Sequence, residues 1–110
     1  YQAAKTIMPD ERQTIREASV SQAKKLGRKV TLRNDWEEIK LDVMYQIVKY
    51  KFNTHDNLKE MLLETGNRYL LEGNYWHDNF WGSCYCNKCG DIGENHLGKI
   101  LMRVRDELIA

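Results

Sequence analysis

From Trp36 to Phe52 the chain carries apolar side chains at helical spacing on more than one side, and no other stretch limits its fold as tightly. Trp36, Ile39, Val43, Ile47 and Tyr50 make one row, and Leu41, Tyr45, Val48 and Phe52 make a second. Only a narrow polar stripe remains, through Glu38, Asp42, Gln46, Lys49 and Asn53. A helix apolar on most sides has to be enclosed by other elements, so this one is expected at the centre of a helical fold. Asp35 stands at its N-cap with Glu38 three residues on, the spacing of a capping box.

Shorter helices are expected around it. Tyr1 to Ile7 favours helix but has no capping residue ahead of it. Pro9-Asp10 ends that segment and opens another, with Ile15 and Ala18 on one side. Ser19 and Gln22 form a second capping-box pattern, opening a helix with Val20, Ala23 and Leu26 inward. Gly27 suits the left-handed stop of that helix, and Lys24 and Lys25 suit its C-terminal dipole. Arg28 to Asn34 is a connector. Asp56 or Asn57 starts the next helix, with Leu58, Met61 and Leu62 inward and Gly66 as the stop. Tyr69 to Leu71 is the one short strand expected. A last helix begins near Asn95 and buries Leu97, Ile100, Leu101, Val104 and Leu108. The expected fold class is mainly α, a small multi-helix orthogonal bundle with a minor β element and a long loop, in a single domain over residues 1–110.

Composition narrows the functions open to such a bundle. Seventeen basic and sixteen acidic residues give a formal charge of +1, so a protein that grips nucleic acid mainly through phosphates is excluded. No general nucleic-acid surface is expected. No apolar run approaches the roughly 20 residues needed to span a bilayer, so no membrane partner is expected either. Tyr1 to Lys5 lacks a basic start followed by an apolar stretch, so no signal peptide is expected. The three cysteines, an odd and clustered set, suit a reducing compartment better than a disulfide framework, and the cytoplasm is the expected location.

Asn74 to Glu94 has neither helical nor strand periodicity, and so long a loop in so small a domain is more often functional than not. Trp76, His77, Asp78 and Trp81 sit together in it, beside Gly82. Flat aromatics stack on bases, a carboxylate can stabilise a sugar cation, and a histidine can move a proton. The competing reading is that Trp76 and Trp81 anchor the loop to the core. Cys84, Cys86 and Cys89 follow as C-x-C-x-x-C, three soft ligands within reach of one tetrahedral ion, with His77 or His96 as a fourth. Structural zinc usually shows two paired knuckles, so three reduced thiols in a loop are favoured over zinc, and no cofactor is expected to be required.

Four stretches of this sequence resemble the NADAR (YbiA-like) family. Tyr1-Gln2-Ala3-Ala4-Lys5 is similar to its Tyr-Gln-Ala-x-Lys helix, and Ala23 to Arg28 to a second stretch. Glu72-Gly73-Asn74 with His77 to Gly82 resembles a segment ending in Asp-x-x-Trp-Gly, and Gly93 to Met102, with Arg105, resembles the closing Gly-x-Asn-x-Leu-Gly-Lys-x-Leu-Met helix. The family normally carries several tens of residues ahead of the first motif, including a short β segment and a Glu-His pair. The resemblance therefore implies a chain that begins inside the family's domain and lacks one glutamate of its site.

What the resemblance implies is cleavage of an N-glycosidic bond. The expected substrate is nucleotide-like, either ADP-ribosylated guanine in nucleic acid or a ribosylamino-pyrimidine phosphate of riboflavin synthesis. Asp78 is expected to stabilise charge at the sugar C1, and Lys5 is an alternative nucleophile if burial or a cationic neighbour lowers its pKa. Trp81 and Gly82 would meet the base, and Asn95 would meet ribose or phosphate from the helix N-terminus. The rival reading of Asn95 is a plain N-cap, and the rival reading of the whole is a non-catalytic module that binds ADP-ribose or NAD.

Overall fold

The computed structural model describes residues 1–90 and 93–110 and divides the chain into two units, Tyr1–Val43 and Met44–Ala110. Mainly helical structure is borne out, with five α-helices and one two-residue strand pair among the described residues.

The first unit starts with a single 3-10 turn, Gln2–Lys5, shorter than the helix expected over Tyr1 to Ile7. Thr6 ends it in extended geometry because its groups are used elsewhere. Its hydroxyl donates to Glu11 and accepts from the Met8 N–H, and its carbonyl accepts from Arg12 Nε at 2.6 Å. Pro9 then opens α1 (Pro9–Glu17), whose buried residue is Ile15. In α2 (Val20–Gly27) the Ser19 hydroxyl accepts from the Gln22 N–H, the cap read from the sequence. Val20, however, is 91 % exposed rather than inward. Gly27 is not a left-handed stop: it lies inside α2, buried, with the Gln2 side chain against it. α3 (Trp36–Thr54) begins on the carbonyl of Asp35, which accepts from the Glu38 and Ile39 N–H groups, while the Asp35 carboxylate pairs with Arg33 instead of capping. That pairing holds the Asp35 carboxyl below its usual range.

The second unit holds the rest of α3 with α4 (Asp56–Glu64), β1 (Gly73–Asn74), β2 (Ser83–Cys84) and α5 (His96–Ile109). Its core is Tyr45, Val48, Leu62, Ile100 and Val104, with Phe52, Leu70, Trp81 and Leu97 packed against it. In α3 the row Tyr45, Val48, Phe52 does the packing, whereas Ile47 and Tyr50 face solvent, so the helix is less enclosed than its pattern suggests. Leu62 of α4 is buried but Met61 is exposed, and Gly66 follows α4 at φ 63° as expected of its stop. Buried Arg105 ties α5 to the end of α4 by donating to Thr65 Oγ1 and the Arg68 carbonyl at 2.9 and 2.8 Å. Tyr45 ties α3 to α5 through Glu107.

Tyr69 to Leu71 is not a strand. The strand pair is Gly73–Asn74 with Ser83–Cys84, parallel and in register 73 with 83 and 74 with 84. Backbone groups of 70–72 are taken by Asn95 instead. Its Oδ1 accepts from the Glu72 N–H at 2.9 Å, and its Nδ2 donates to the Leu70 carbonyl at 2.8 Å and to Tyr69 Oη at 3.2 Å. Gly98, one turn on, lets that strand-like segment lie against the helix, because a Cβ there would collide with the Leu70 carbonyl. Asn95 itself adopts left-handed geometry, φ 55°, and makes no side-chain cap.

The first N–H groups of α5 find their partners in the preceding loop. Asn95, His96 and Leu97 donate to the carbonyls of Gly82, Phe80 and Trp81 at 3.1, 3.0 and 2.8 Å. Three of the donors at the start of this helix are thus filled by backbone carbonyls of the loop. Asn95→Ala should strip two part-buried backbone groups of their partners and cost about 1–2 kcal/mol, a fall of roughly 5–10 °C in Tm. Thermal unfolding followed by circular dichroism checks this; a shift of a degree or two would remove Asn95 from the framework.

Candidate active site

The loop between β1 and β2 joins two parallel strands with no helix between them, so something other than a crossover helix must hold it in shape. Asn74 does so. It is buried, its Oδ1 accepts from the Trp76 and Asp78 N–H groups at 3.2 and 3.1 Å, and its Nδ2 donates to the Asp78 carbonyl at 2.8 Å. Asn79 braces the far side, with Oδ1 accepting from the Cys84 N–H at 2.8 Å. Sequence reasoning named neither residue as part of the site. The signal was an asparagine in each half of an aperiodic aromatic loop, where a backbone-mimicking amide is the side chain a tight turn uses.

Asp78 is half-buried at the centre of this arrangement. Its Oδ1 accepts from the Phe80 and Trp81 N–H groups at 3.2 and 2.9 Å, while its Oδ2 makes no hydrogen bond to a described residue. The carboxylate is therefore oriented by backbone through one oxygen, with the other oxygen left for a ligand or solvent. Trp81 is half-buried, packs on the core and meets the Phe80 ring edge-on at 4.8 Å, so it anchors the loop as the competing reading had it. Trp76 is 61 % exposed. Gly82 is buried, and a Cβ there would collide with the Glu72 carbonyl; its need for glycine is a close approach of two chain segments. Asn95, 1 % exposed, stands at the N-cap position of α5 and takes the Lys99 N–H on its carbonyl, but its side-chain amide clips the 70–72 segment instead of capping the helix.

Asp78, Trp81, Gly82 and Asn95 thus come together at the junction of loop and α5. Lys5 stands in the other unit, at the end of the 3-10 turn, where its carbonyl accepts from the Arg33 N–H at 2.7 Å and its Nζ lies 5.5 Å from the centre of the Tyr1 ring. Partial burial, and after it the charge of Arg28, lowers the Lys5 ammonium below the usual lysine range. This is the condition under which a lysine amine becomes a usable nucleophile.

Behind Asp78, the ring of His77 faces the thiols of Cys84, Cys86 and Cys89. His96, the other candidate fourth ligand, is elsewhere: its Nε2 lies 3.4 Å from Glu94 and its ring lies against Phe80 at 4.5 Å. The Cys86 thiol is drawn down to about 6, first by the Cys84 side chain and then by the Cys89 backbone. Among the described residues, no helix is long and apolar enough to cross a membrane.

Three known proteins share this architecture or its sequence. An N-glycosidase of Nostoc punctiforme is 46 % identical over 93 residues, which cover 83 % of this chain and 56 % of that protein. The chloroplastic riboflavin biosynthesis protein PYRR of Arabidopsis thaliana is 45 % identical over 80 residues, 71 % of this chain and 12 % of that one. The solved NMR structure of the E. coli protein YbiA matches with a TM-score of 0.83 at 33 % identity, over 98 % of this chain and 63 % of that chain. The chain thus spans little more than half of the first relative and a small part of the second. The model of the NADAR domain matches residues 1–109, and with these likenesses it shows that the chain belongs to the NADAR domain family.

Proposed function

We propose that this chain carries the NADAR part of an N-glycosidase, which hydrolyses the bond between C1 of a ribose and the nitrogen of a base. The observation that carries the reading is the Asp78 carboxylate, fixed through Oδ1 by two backbone N–H groups with Oδ2 unengaged among the described residues. Relatives named N-glycosidases, in Nostoc punctiforme and in E. coli at 34 % identity over 111 residues, support it.

Departure of the base leaves positive charge at C1 and the ring oxygen. A carboxylate already oriented stabilises that charge without reorganising as it forms. Water then adds to C1, and the base leaves with a proton. In the route through Lys5, the neutral amine attacks C1, the base leaves, and opening of the ring gives an imine that water cleaves to return the amine. The lowered Lys5 pKa supports that route, because more of the amine is neutral near pH 7.

The substrate is a nucleotide-like glycoside, an ADP-ribosylated guanine or a ribosylated pyrimidine phosphate. The name of the Arabidopsis relative, a riboflavin biosynthesis protein, favours the second. Near-neutral overall charge favours a substrate held at one base and one sugar over a long nucleic-acid track.

In the protein as encoded in full, Asp78→Asn should lower turnover on the order of 10²-fold, the scale set by loss of one electrostatic stabiliser. Asparagine keeps the Oδ1 acceptor, so Tm should hold; unchanged turnover would remove Asp78 from the chemistry. Borohydride added during turnover should reduce the imine and leave a sugar adduct on Lys5, seen by peptide mass mapping. Lys5→Arg should abolish the adduct, since arginine keeps the charge but forms no imine. Activity without any adduct would leave Asp78 as the catalyst and confine Lys5 to electrostatics. Tight ADP-ribose binding with no base released from either substrate would favour the non-catalytic module.

A further inference from the structure

We propose that His77, Cys84, Cys86 and Cys89 form a structural zinc site that clamps the loop carrying Asp78. One ligand atom from each of these residues lies within 4.8 Å of all the others. His77 Nδ1 is 3.3 Å from Cys89 Sγ, 3.4 Å from Cys86 Sγ and 3.8 Å from Cys84 Sγ. A ring nitrogen has one proton or one lone pair, so it cannot give three sulfurs a full hydrogen bond each. Three sulfurs gathered about one nitrogen are instead the arrangement of four ligands round a common centre. Zinc–sulfur bonds of about 2.3 Å and zinc–nitrogen bonds of about 2.0–2.1 Å in a tetrahedron put sulfur and nitrogen roughly 3.6 Å apart. The three distances straddle that value.

The chain around the cluster is shaped for it. His77 takes a left-handed backbone, φ 68°, that costs a residue with a side chain roughly 1–2 kcal/mol, and by doing so directs its ring toward the thiols. Its N–H donates to Cys84 Sγ at 3.3 Å, which ties the His77 backbone to the same sulfur that its ring faces. Cys84 is fully buried on β2, which fixes one sulfur rigidly. Cys86 and Cys89 are joined by a turn in which the Gly90 N–H donates to the Cys86 carbonyl at 3.2 Å, with Gly90 at φ 63°. The sequence alone favoured three reduced thiols because one paired knuckle is half of the usual pattern. The missing half is supplied by a single histidine from the loop before β2.

Three thiolates and an imidazole select a soft or borderline ion in tetrahedral geometry, and four protein ligands leave no position open for substrate or water. The ion is therefore structural. It meets a need, since Tyr75 and Trp76, next to His77 in the chain, are largely exposed and Cys84 is the one fully buried member of the cluster. The metal would replace a small core on this side of the loop, with His77 adjacent in the chain to Asp78. On binding, each thiol gives up its proton to solvent as its sulfur bonds to the ion, with no redox change. The site stands whether or not the protein is a glycosidase.

The test is metal content of the full-length protein purified without added metal and dialysed against metal-free buffer. About one zinc per chain is expected. Cobalt(II) in its place should give the intense visible bands of a tetrahedral thiolate complex. His77→Ala and Cys89→Ser should each lower zinc retention tenfold or more, with helical circular dichroism as the check on folding, and His96→Ala should retain the ion. Folded wild-type protein holding less than a tenth of an equivalent, with three thiols titrating freely, overturns the proposal. So does a disulfide between any two of the cysteines, or loss of the ion on removing His96 but not His77.

Discussion

The N-terminus of α5 is where the second unit is fastened together. A helix start leaves backbone donors that must be filled by something, and here the fillers are main-chain carbonyls of Phe80, Trp81 and Gly82. Side-chain caps satisfy one donor each and leave the loop before them free to move. Backbone partners do more, because each bond also fixes the loop residue that supplies the carbonyl. The turn that holds Asp78 is built on the same residues, since Phe80 and Trp81 give their N–H groups to its carboxylate and their carbonyls to the helix. The position of the candidate catalytic group therefore depends on the start of a helix rather than on the core directly.

Asn95 and Gly98 secure the other side of that start. The buried amide engages both a donor and an acceptor of the 70–72 segment, and the glycine gives that segment room to approach. Both lie in the stretch that resembles the family's closing motif, and the expectation that Asn95 meets ribose or phosphate came from that motif. An asparagine at a helix start has the same sequence signature whether it caps, binds or clips. What separates the three is burial and the partner of each amide atom, and both depend on residues more than twenty positions away.

Helices were legible because their signals are local. The Ser19 cap, the Pro9 start, the Gly66 stop and the apolar face of α5 each lie within a turn or two of the feature they determine. Errors fell where the burial of a residue is set by distant partners. Val20 and Met61 match the helical period but face solvent, and Tyr69 to Leu71 has strand-forming residues whose backbone bonds go to a side chain. In the site, Asp78 could be picked out by type and motif, and the thiols by spacing. Asn74 and Asn79 could not, because their roles consist of bonds across a loop that has no periodicity. The choice of His77 over His96 was equally hidden, turning on a left-handed backbone at one residue.

The loop is thus braced by the helix start in front of Asp78, and the proposed metal site at His77 and the cysteines would brace it from behind. A carboxylate that stabilises a developing cation gains most when it need not move, and this construction supplies that rigidity in a domain with a small core. Native-state amide hydrogen exchange at His96 and Leu97 reads the fastening directly. If the loop carbonyls fill those donors, both amides exchange as slowly as that of Val104 in the buried middle of α5. Exchange at the rate of an unprotected peptide, with Val104 still slow, would show a frayed helix start and contradict the fixed placement of Asp78.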